Sequence, residues 1–167
     1  MKQLLIVRHS KSDRNDLSLK DFDRPLNDRG HKNAQEMATR LFKQNIIPQI
    51  LVSSSALRAL TTANYFADKF TINHSAVIKN EDIYEASSSK LLKIINGFDN
   101  KANLIGFFGH NPGFSELAFR LSNNSILDNL PTTGIALIEF PFDKWNLVSY
   151  GTGKLLLFDF PKNVVRF

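Results

Sequence analysis

The sequence predicts an α/β protein in which helices flank a mainly parallel central sheet, forming a three-layer sandwich. Apolar runs of strand length alternate with longer segments whose apolar residues recur every three or four positions, which is helical spacing. Such alternation is typical of parallel sheets whose strands are connected by helices. The 167 residues show no internal repeat and no linker, so we expect a single domain spanning residues 1–167.

The first elements are predicted from apolar spacing and from turn-forming residues. An apolar run at Gln3–Val7 predicts a buried strand. The polar segment Asp13–Arg29 contains a proline and is expected to form a loop. Asn27 is a candidate N-cap for the helix predicted at Gly30–Gln44. Further helices are predicted at Ala56–Phe70, Ser88–Asn96 and Phe114–Ser122.

The remaining strands include a group near the C-terminus. Strands are predicted at Ile50–Val52, Ala76–Lys79, Asn103–Phe108, Gly134–Phe140, Leu147–Tyr150 and Lys154–Phe158. The last three follow one another with no helical segment between them. The turn Gly151–Gly153 is expected to join the final two in a hairpin, so the sheet is predicted to have a hairpin-like C-terminal end.

The composition restricts the classes of function. The sequence contains no Cys, which excludes disulfides, thiolate nucleophiles and Cys-based metal sites. No apolar run is long enough for a signal peptide or a bilayer span, so we expect a cytoplasmic protein with no membrane partner. The net charge of +5 raises nucleic acid as a partner, but the basic residues are scattered without a dense run. We therefore expect no nucleic acid partner.

Polar residues that follow the predicted strands are candidates for a site, because ligands of open α/β sheets bind at the carboxyl ends of the strands. Arg8 and His9 follow the first strand, Arg58 lies in the segment after the second, and His110 follows the apolar strand Asn103–Phe108. Two guanidinium groups and two imidazoles suit a dianionic tetrahedral group. The sequence thus predicts a phosphate pocket. A metal site is disfavoured because the arginines would repel the ion.

Six sequence blocks, taken in order, carry a resemblance to a known family. They are "RHS" from Arg8, "DFDRPLNDRG" from Asp21, "LVSSSALRALTTA" from Leu51, "IYEASSSKLLKII" from Ile83, "GFFGHNPGFSELA" from Gly106 and "LPTTGIALIEF" from Leu130. The first resembles the "RHG" signature of the histidine phosphatase superfamily, whose fold is phosphoglycerate-mutase-like. The fifth resembles the "VGHNPG" block of the SixA-type phosphohistidine phosphatases. The resemblance covers nearly the whole chain.

The resemblance implies a reaction through a covalent intermediate. His9 would be the nucleophile that becomes a phosphohistidine, which water then hydrolyses. Arg8, Arg58 and His110 would hold the phosphoryl oxygens, with His110 protonated under the influence of the phosphate charge. Glu85 is by its position the candidate that protonates the leaving group, and a charge at the start of a helix is an equally good interpretation of it. We expect neither a metal nor a cofactor.

Other residues have more local expected roles. Asp13 is a weaker alternative for the proton donor. Arg24, Ser10 and Asn111 are the candidates for binding the phosphate or the substrate. Arg24 is expected to reach the rim of the pocket with Asp23 orienting it, or only to shape its loop. Ser10 stands where the family signature has Gly, and its Cβ is expected to alter the pocket wall. Asn111 is expected to fix its loop and to place a backbone N–H near the pocket.

The sequence is compatible with three functions. The first is a phosphatase acting on phosphohistidine of a protein, such as a phosphotransfer domain, because this branch lacks the insertions that build a lid over a small molecule. The second is a phosphatase of small phosphomonoesters. The third is a non-catalytic module that binds phosphate, and the presence of both arginines and both histidines argues against it.

Overall fold

The centre of the structure is a six-stranded sheet. The computed structural model describes residues 1–163. The strands are β1 (Lys2–Arg8), β2 (Ile50–Ser54), β3 (Ile78–Asn80), β4 (Leu104–Gly109), β5 (Ile135–Phe140) and β6 (Lys154–Asp159). Their order in the sheet is β3-β2-β4-β1-β5-β6. The first four pair in parallel, and β5 runs antiparallel to both of its neighbours.

Helices cover both faces of this sheet, so the predicted three-layer sandwich is confirmed. They are α1 (Asp28–Lys43), α2 (Leu57–Phe70), α3 (Ser88–Asn96) and α4 (Gly113–Ser122). Short 3-10 turns lie at Asp21–Asp23, His74–Ala76, Glu81–Ile83, Ser125–Leu127 and Trp145–Leu147. Among the described residues no helix is long and apolar enough to cross a membrane.

The strand β1 is apolar on both faces because helices cover it on both sides. Its side chains alternate between the faces. Leu4 and Ile6 pack with residues of α3 and α4, whereas Leu5 and Val7 pack with residues of α1 and α2. This central, doubly buried strand ends at Arg8, so it delivers the polar residues that follow to a fixed place.

Helix α1 begins where the sequence indicates. The Asn27 side chain accepts a hydrogen bond from the Gly30 backbone N–H at 2.8 Å, which is the predicted N-cap. The helix includes Asp28, two residues before the predicted start, because helical residues follow the cap directly. Its buried side consists of Gly30, Ala34, Met37, Ala38 and Leu41.

The hairpin predicted at the turn Gly151–Gly153 is wrong, although the C-terminal end of the sheet is an antiparallel pair of consecutive strands, as predicted. Leu147–Tyr150 forms no strand, because the 3-10 turn at Trp145–Leu147 and the turn at residues 150–151 occupy that region. The Asn96 side-chain amide donates to the carbonyls of Trp145 and Val148, both at 2.9 Å, so these groups are bonded without a neighbouring strand. The strand β6 instead pairs with β5 after the long connection 141–153.

Two other regions differ from the prediction in detail. The strand predicted at Ala76–Lys79 is shifted to Ile78–Asn80, because its first residue belongs to the 3-10 turn at His74–Ala76. The predicted loop between β1 and α1 is tied at its base by an antiparallel bridge between Ser12 and Leu26. This bridge holds the intervening segment beside the carboxyl ends of the strands.

Candidate active site

A cavity of about 980 Å³ lies at the carboxyl edge of the sheet. The strands β1 and β4 end in register, with Arg8 opposite Gly109, so the residues after them are neighbours. The structure brings Arg8, His9, Arg58 and His110 into the lining of this one cavity, as the strand ends predict. The ring centroids of the two histidines are 5.3 Å apart.

His9 is held as a neutral ring with a defined tautomer. Its Nδ1 lies 2.7 Å from the Ser10 carbonyl oxygen. A carbonyl can only accept, so Nδ1 carries the proton and Nε2 keeps a free lone pair. Burial, together with the positive charges of Arg58 and Arg8, lowers the pKa of His9 to about 4 despite the opposing effect of the hydrogen bond to Ser10. The ring is therefore an uncharged nucleophile near pH 7.

His110 is also neutral in this structure. Burial and the neighbouring His9 and Arg58 lower its pKa to about 3, with Asp21 acting in the opposite direction. Its Nε2 is 2.8 Å from the Ser54 hydroxyl, and that hydroxyl accepts a 3.2 Å hydrogen bond from the backbone N–H of Ala56. Its Nδ1 is buried and has no partner within residues 1–163. The protonated His110 expected from the sequence therefore requires the charge of a bound anion.

The two arginines predicted at the strand ends are fixed by different acceptors. Arg8 donates from Nη1 to the Leu130 carbonyl at 2.9 Å. Arg58 is buried, with 6% exposure, and donates from Nη1 to the Asp21 carbonyl at 2.6 Å and from Nη2 to the Asp21 carboxylate at 3.0 Å. The Nε atoms of Arg8 and Arg58 are buried and have no acceptor among the described residues. Buried donors of this kind are costly unless an acceptor meets them, and an oxyanion is such an acceptor.

Asp21 is a site residue that sequence reasoning missed. Arg24 reaches the cavity as expected, but its Nε and Nη2 donate to Asp21 Oδ1, and the expected partner Asp23 does not take part. The 3-10 turn explains the difference, because residues three apart eclipse each other on such a turn. The Tyr84 hydroxyl, Arg24 and Arg58 all donate to Asp21, and the pKa of this carboxyl is therefore well below its usual range.

Tyr84 was also missed, although it stands beside a predicted residue. Its hydroxyl donates to Asp21 Oδ2, and its ring meets the His110 ring edge-on with centroids 5.4 Å apart. The Arg58 guanidinium carbon lies 5.9 Å from the centre of the same ring. An aromatic residue directly before the predicted Glu85 was the available signal, but the sequence does not show which way the ring faces.

Glu85 and Asp13 both line the cavity, so the structure brings both candidate proton donors to its mouth. Glu85 is exposed and has a φ of 57°, a left-handed conformation that is uncommon for residues other than Gly. The loop that carries it packs tightly against α4, since a Cβ at Gly113 would lie 2.3 Å from the Ala86 carbonyl oxygen.

Ser10 does not line the cavity, contrary to the expectation that it binds phosphate or substrate. Its side chain is fully buried, and its hydroxyl is 2.7 Å from that of Thr133. Its backbone N–H donates to the Thr62 hydroxyl at 3.0 Å. The Cβ therefore points into a polar pair behind the wall of the cavity, where a Gly would leave Thr133 without this partner.

Asn111 fixes its loop as expected. Its Oδ1 accepts from both the backbone N–H and the hydroxyl of Ser115, at 3.1 and 2.7 Å. Its Nδ2 donates at 3.0 Å to the Leu130 carbonyl, which also accepts from Arg8. Asn111 therefore ties the loop after β4 to the acceptor that holds Arg8.

Within residues 1–163 no three His, Asp or Glu side chains are grouped as metal ligands would be.

The chain is similar in sequence to known proteins. Residues 4–91 match the model of the histidine phosphatase superfamily, branch 1. An uncharacterised chloroplastic protein of Arabidopsis thaliana is 31% identical over 152 residues, which cover 86% of this chain and 69% of that protein.

Solved structures share the fold. A SixA structure from Agrobacterium tumefaciens has a TM-score of 0.80 at 22% identity, covering 94% of this chain and 96% of that chain. The protein histidine phosphatase SixA complexed with tungstate has a TM-score of 0.77 at 20% identity, covering 96% and 98%. The mycobacterial glucosyl-3-phosphoglycerate phosphatase in complex with VO3 has a TM-score of 0.68 at 14% identity, covering 94% and 98%.

Proposed function

The chain belongs to the histidine phosphatase superfamily, and from that premise we propose that it removes the phosphoryl group from phosphohistidine on a protein, such as a phosphotransfer domain. The observation that carries the proposal is the state of His9. The Nδ1–H of His9 donates a hydrogen bond to the Ser10 carbonyl, and burial keeps the ring neutral. Nε2 is therefore a free nucleophile beside Arg8 and Arg58.

The first step transfers the phosphoryl group to the enzyme. The substrate ring is protonated from solvent on its other nitrogen. Nε2 of His9 then attacks phosphorus, the bond between phosphorus and the substrate imidazole nitrogen breaks, and the substrate imidazole leaves as a neutral ring. Arg8 and Arg58 neutralise the charge on the equatorial oxygens. The phosphoryl dianion raises the pKa of His110 from its value of about 3 in this structure, so that a protonated His110 adds a further donor.

The second step releases phosphate. A water molecule attacks phosphorus on the side opposite His9, the bond from phosphorus to Nε2 breaks, and both hydrogens of the water leave with the inorganic phosphate. The proton stays on Nδ1 throughout, where it is hydrogen-bonded to the Ser10 carbonyl. The ring therefore returns to the same neutral tautomer, and no proton has to be removed from it before the next cycle.

The chemistry of the leaving group separates the two candidate substrates. Once its ring is protonated, phosphohistidine expels a neutral imidazole, whose conjugate acid has a pKa of about 6.5, so this leaving group needs little help from an acid of the enzyme. An alkoxide is a far stronger base and needs a proton donor. Glu85 at the mouth of the cavity could supply that proton, and this observation favours a small phosphomonoester as the second candidate. The likeness to the SixA fold supports the first candidate, and the likeness to the mycobacterial glucosyl-3-phosphoglycerate phosphatase supports the second.

The proposal is tested by measuring phosphate release from a phosphohistidine-bearing phosphotransfer protein and from p-nitrophenyl phosphate. His9→Ala should abolish both activities. His74→Ala is the matched control, because His74 is exposed, hydrogen bonds to Asp68 and does not line the cavity. A higher kcat/KM for the phosphoprotein supports the protein substrate, and the reverse order supports the small phosphomonoester. Phosphate binding without turnover of either substrate would make the chain a binding module.

A further inference from the structure

The carboxylate of Asp21 is the point at which three side chains of the cavity meet. Oδ1 accepts from Nε and Nη2 of Arg24, and Oδ2 accepts from Arg58 Nη2 and from the Tyr84 hydroxyl. The Asp21 carbonyl also accepts from Arg58 Nη1 at 2.6 Å. These partners come from the 3-10 turn after β1, from the first turn of α2 and from the loop before α3. One residue therefore links three segments that the sheet alone does not connect.

Asp21 determines how Arg58 faces the cavity. Both terminal nitrogens of the Arg58 guanidinium are bonded to Asp21, while its Nε is buried without an acceptor among the described residues. An arginine side chain has many rotamers, and fixing the planar guanidinium in advance removes that entropic cost from the reaction. The charge of Arg58 remains available to the phosphoryl group.

Asp21 also holds Tyr84 against His110. The Tyr84 ring contacts the His110 ring edge-on at 5.4 Å and lies 5.9 Å from the Arg58 guanidinium carbon. Since the Tyr84 hydroxyl donates to Asp21, the carboxylate fixes the ring that packs on both groups.

We propose that Asp21 is a positioning residue, which acts on the phosphoryl transfer through Arg58, Arg24 and Tyr84 without touching the phosphate. The inference rests on the proposed phosphatase function. The negative charge of Asp21 repels phosphate, whereas its hydrogen bonds orient the groups that stabilise the transition state. The repulsion weakens phosphate binding, whereas the orientation of these groups speeds the reaction. Replacing the carboxylate should slow the chemical step but should not weaken the binding of inorganic phosphate.

The test compares Asp21→Asn with Asp23→Asn, using p-nitrophenyl phosphate as substrate and inorganic phosphate as inhibitor. Asp23 is the matched control, because it lies on the same 3-10 turn, is exposed and does not line the cavity. Asp21→Asn should lower kcat about tenfold or more, which is typical of losing hydrogen bonds to charged groups, and should leave the inhibition constant of phosphate unchanged or lower. Asp23→Asn should match the wild type in both constants.

Two results would overturn the inference. One is a kcat of Asp21→Asn within twofold of the wild type. The other is an inhibition constant that rises by the same factor as kcat falls, because Asp21 would then only maintain the pocket. If Asp21→Asn does not fold, Tyr84→Phe removes one hydrogen bond to Asp21 without a change of charge, and an unaltered kcat in that variant refutes the positioning role.

An NMR measurement that needs no enzymatic turnover tests this inference separately from the proposed function. The Nε–H signal of Arg58 in ¹⁵N-labelled protein, assigned with Arg58→Lys, should be sharp in the wild type and in Asp23→Asn and broadened by exchange in Asp21→Asn. Equal line widths would refute the positioning role even if the wild type hydrolyses no phosphate ester. A wild type without turnover but with the expected line widths would refute the proposed function alone.

Discussion

Replacing His9 with Gln should remove part of the acid sensitivity of the fold. The pKa of His9 is about 4 in the folded protein and about 6.5 in an unfolded chain. The unfolded state therefore binds protons more readily, so this residue's contribution to stability is intact above pH 6.5 and is lost as the pH falls from there towards 4. Between about pH 7.5 and about pH 5, the loss due to His9 amounts to about 2 kcal/mol.

The assay is urea unfolding of wild type and His9→Gln, followed by the fluorescence of Trp145, which is the single tryptophan of the sequence. Non-phosphate buffers are required, because a bound anion would favour the protonated rings. The carboxyl groups titrate in both proteins, so the difference between the two pH profiles isolates His9. The wild type should lose about 2 kcal/mol more than the variant over this range. Parallel profiles would refute the interpretation that His9 is buried as a neutral ring.

Three further predictions concern single side chains. Arg58→Ala should lower kcat/KM for p-nitrophenyl phosphate about 100-fold or more, because it removes a charge that stabilises the transition state, and a loss below threefold would contradict this. Glu85→Gln should slow hydrolysis of an alkyl phosphate such as glycerol phosphate and leave phosphohistidine hydrolysis within about twofold, as expected of an acid that only a poor leaving group needs; equal losses would contradict it. Asn27→Ala should lower the free energy of unfolding by about 1 kcal/mol in urea titration through loss of the α1 N-cap, and an unchanged midpoint would contradict it.

The main site residues could be predicted from sequence because parallel strands impose a simple geometry. Apolar runs end abruptly at Arg8 and at His110, and the carboxyl ends of neighbouring parallel strands meet at one edge of the sheet. The fold class follows from the same alternation of strands and helices. Asn27 could be recognised as a helix cap because capping depends on a local hydrogen bond.

The parts of the site and fold that were not predicted depend on contacts between loops, which sequence spacing does not encode. Asp21 was missed because its role depends on how the segment after β1 folds back onto Arg58 and Tyr84. Ser10 was expected to line the pocket, but the backbone after β1 directs its side chain to Thr133, and sequence spacing does not give that backbone direction. The false hairpin arose in the same way, since the side chain of Asn96 donates to the carbonyls of Trp145 and Val148, and Val148 lies in the segment predicted as a strand.

The position of phosphate on the trapped enzyme tests the central claim most directly. The protein is mixed rapidly with a phosphohistidine-bearing substrate and quenched in alkali, and the modified nitrogen is identified by NMR. The hydrogen bond between Nδ1 and the Ser10 carbonyl leaves only Nε2 for attack. We expect phosphate on Nε2 of His9, and none in His9→Ala. Phosphate on Nδ1 of His9, on His110, or on no histidine during turnover would contradict the account.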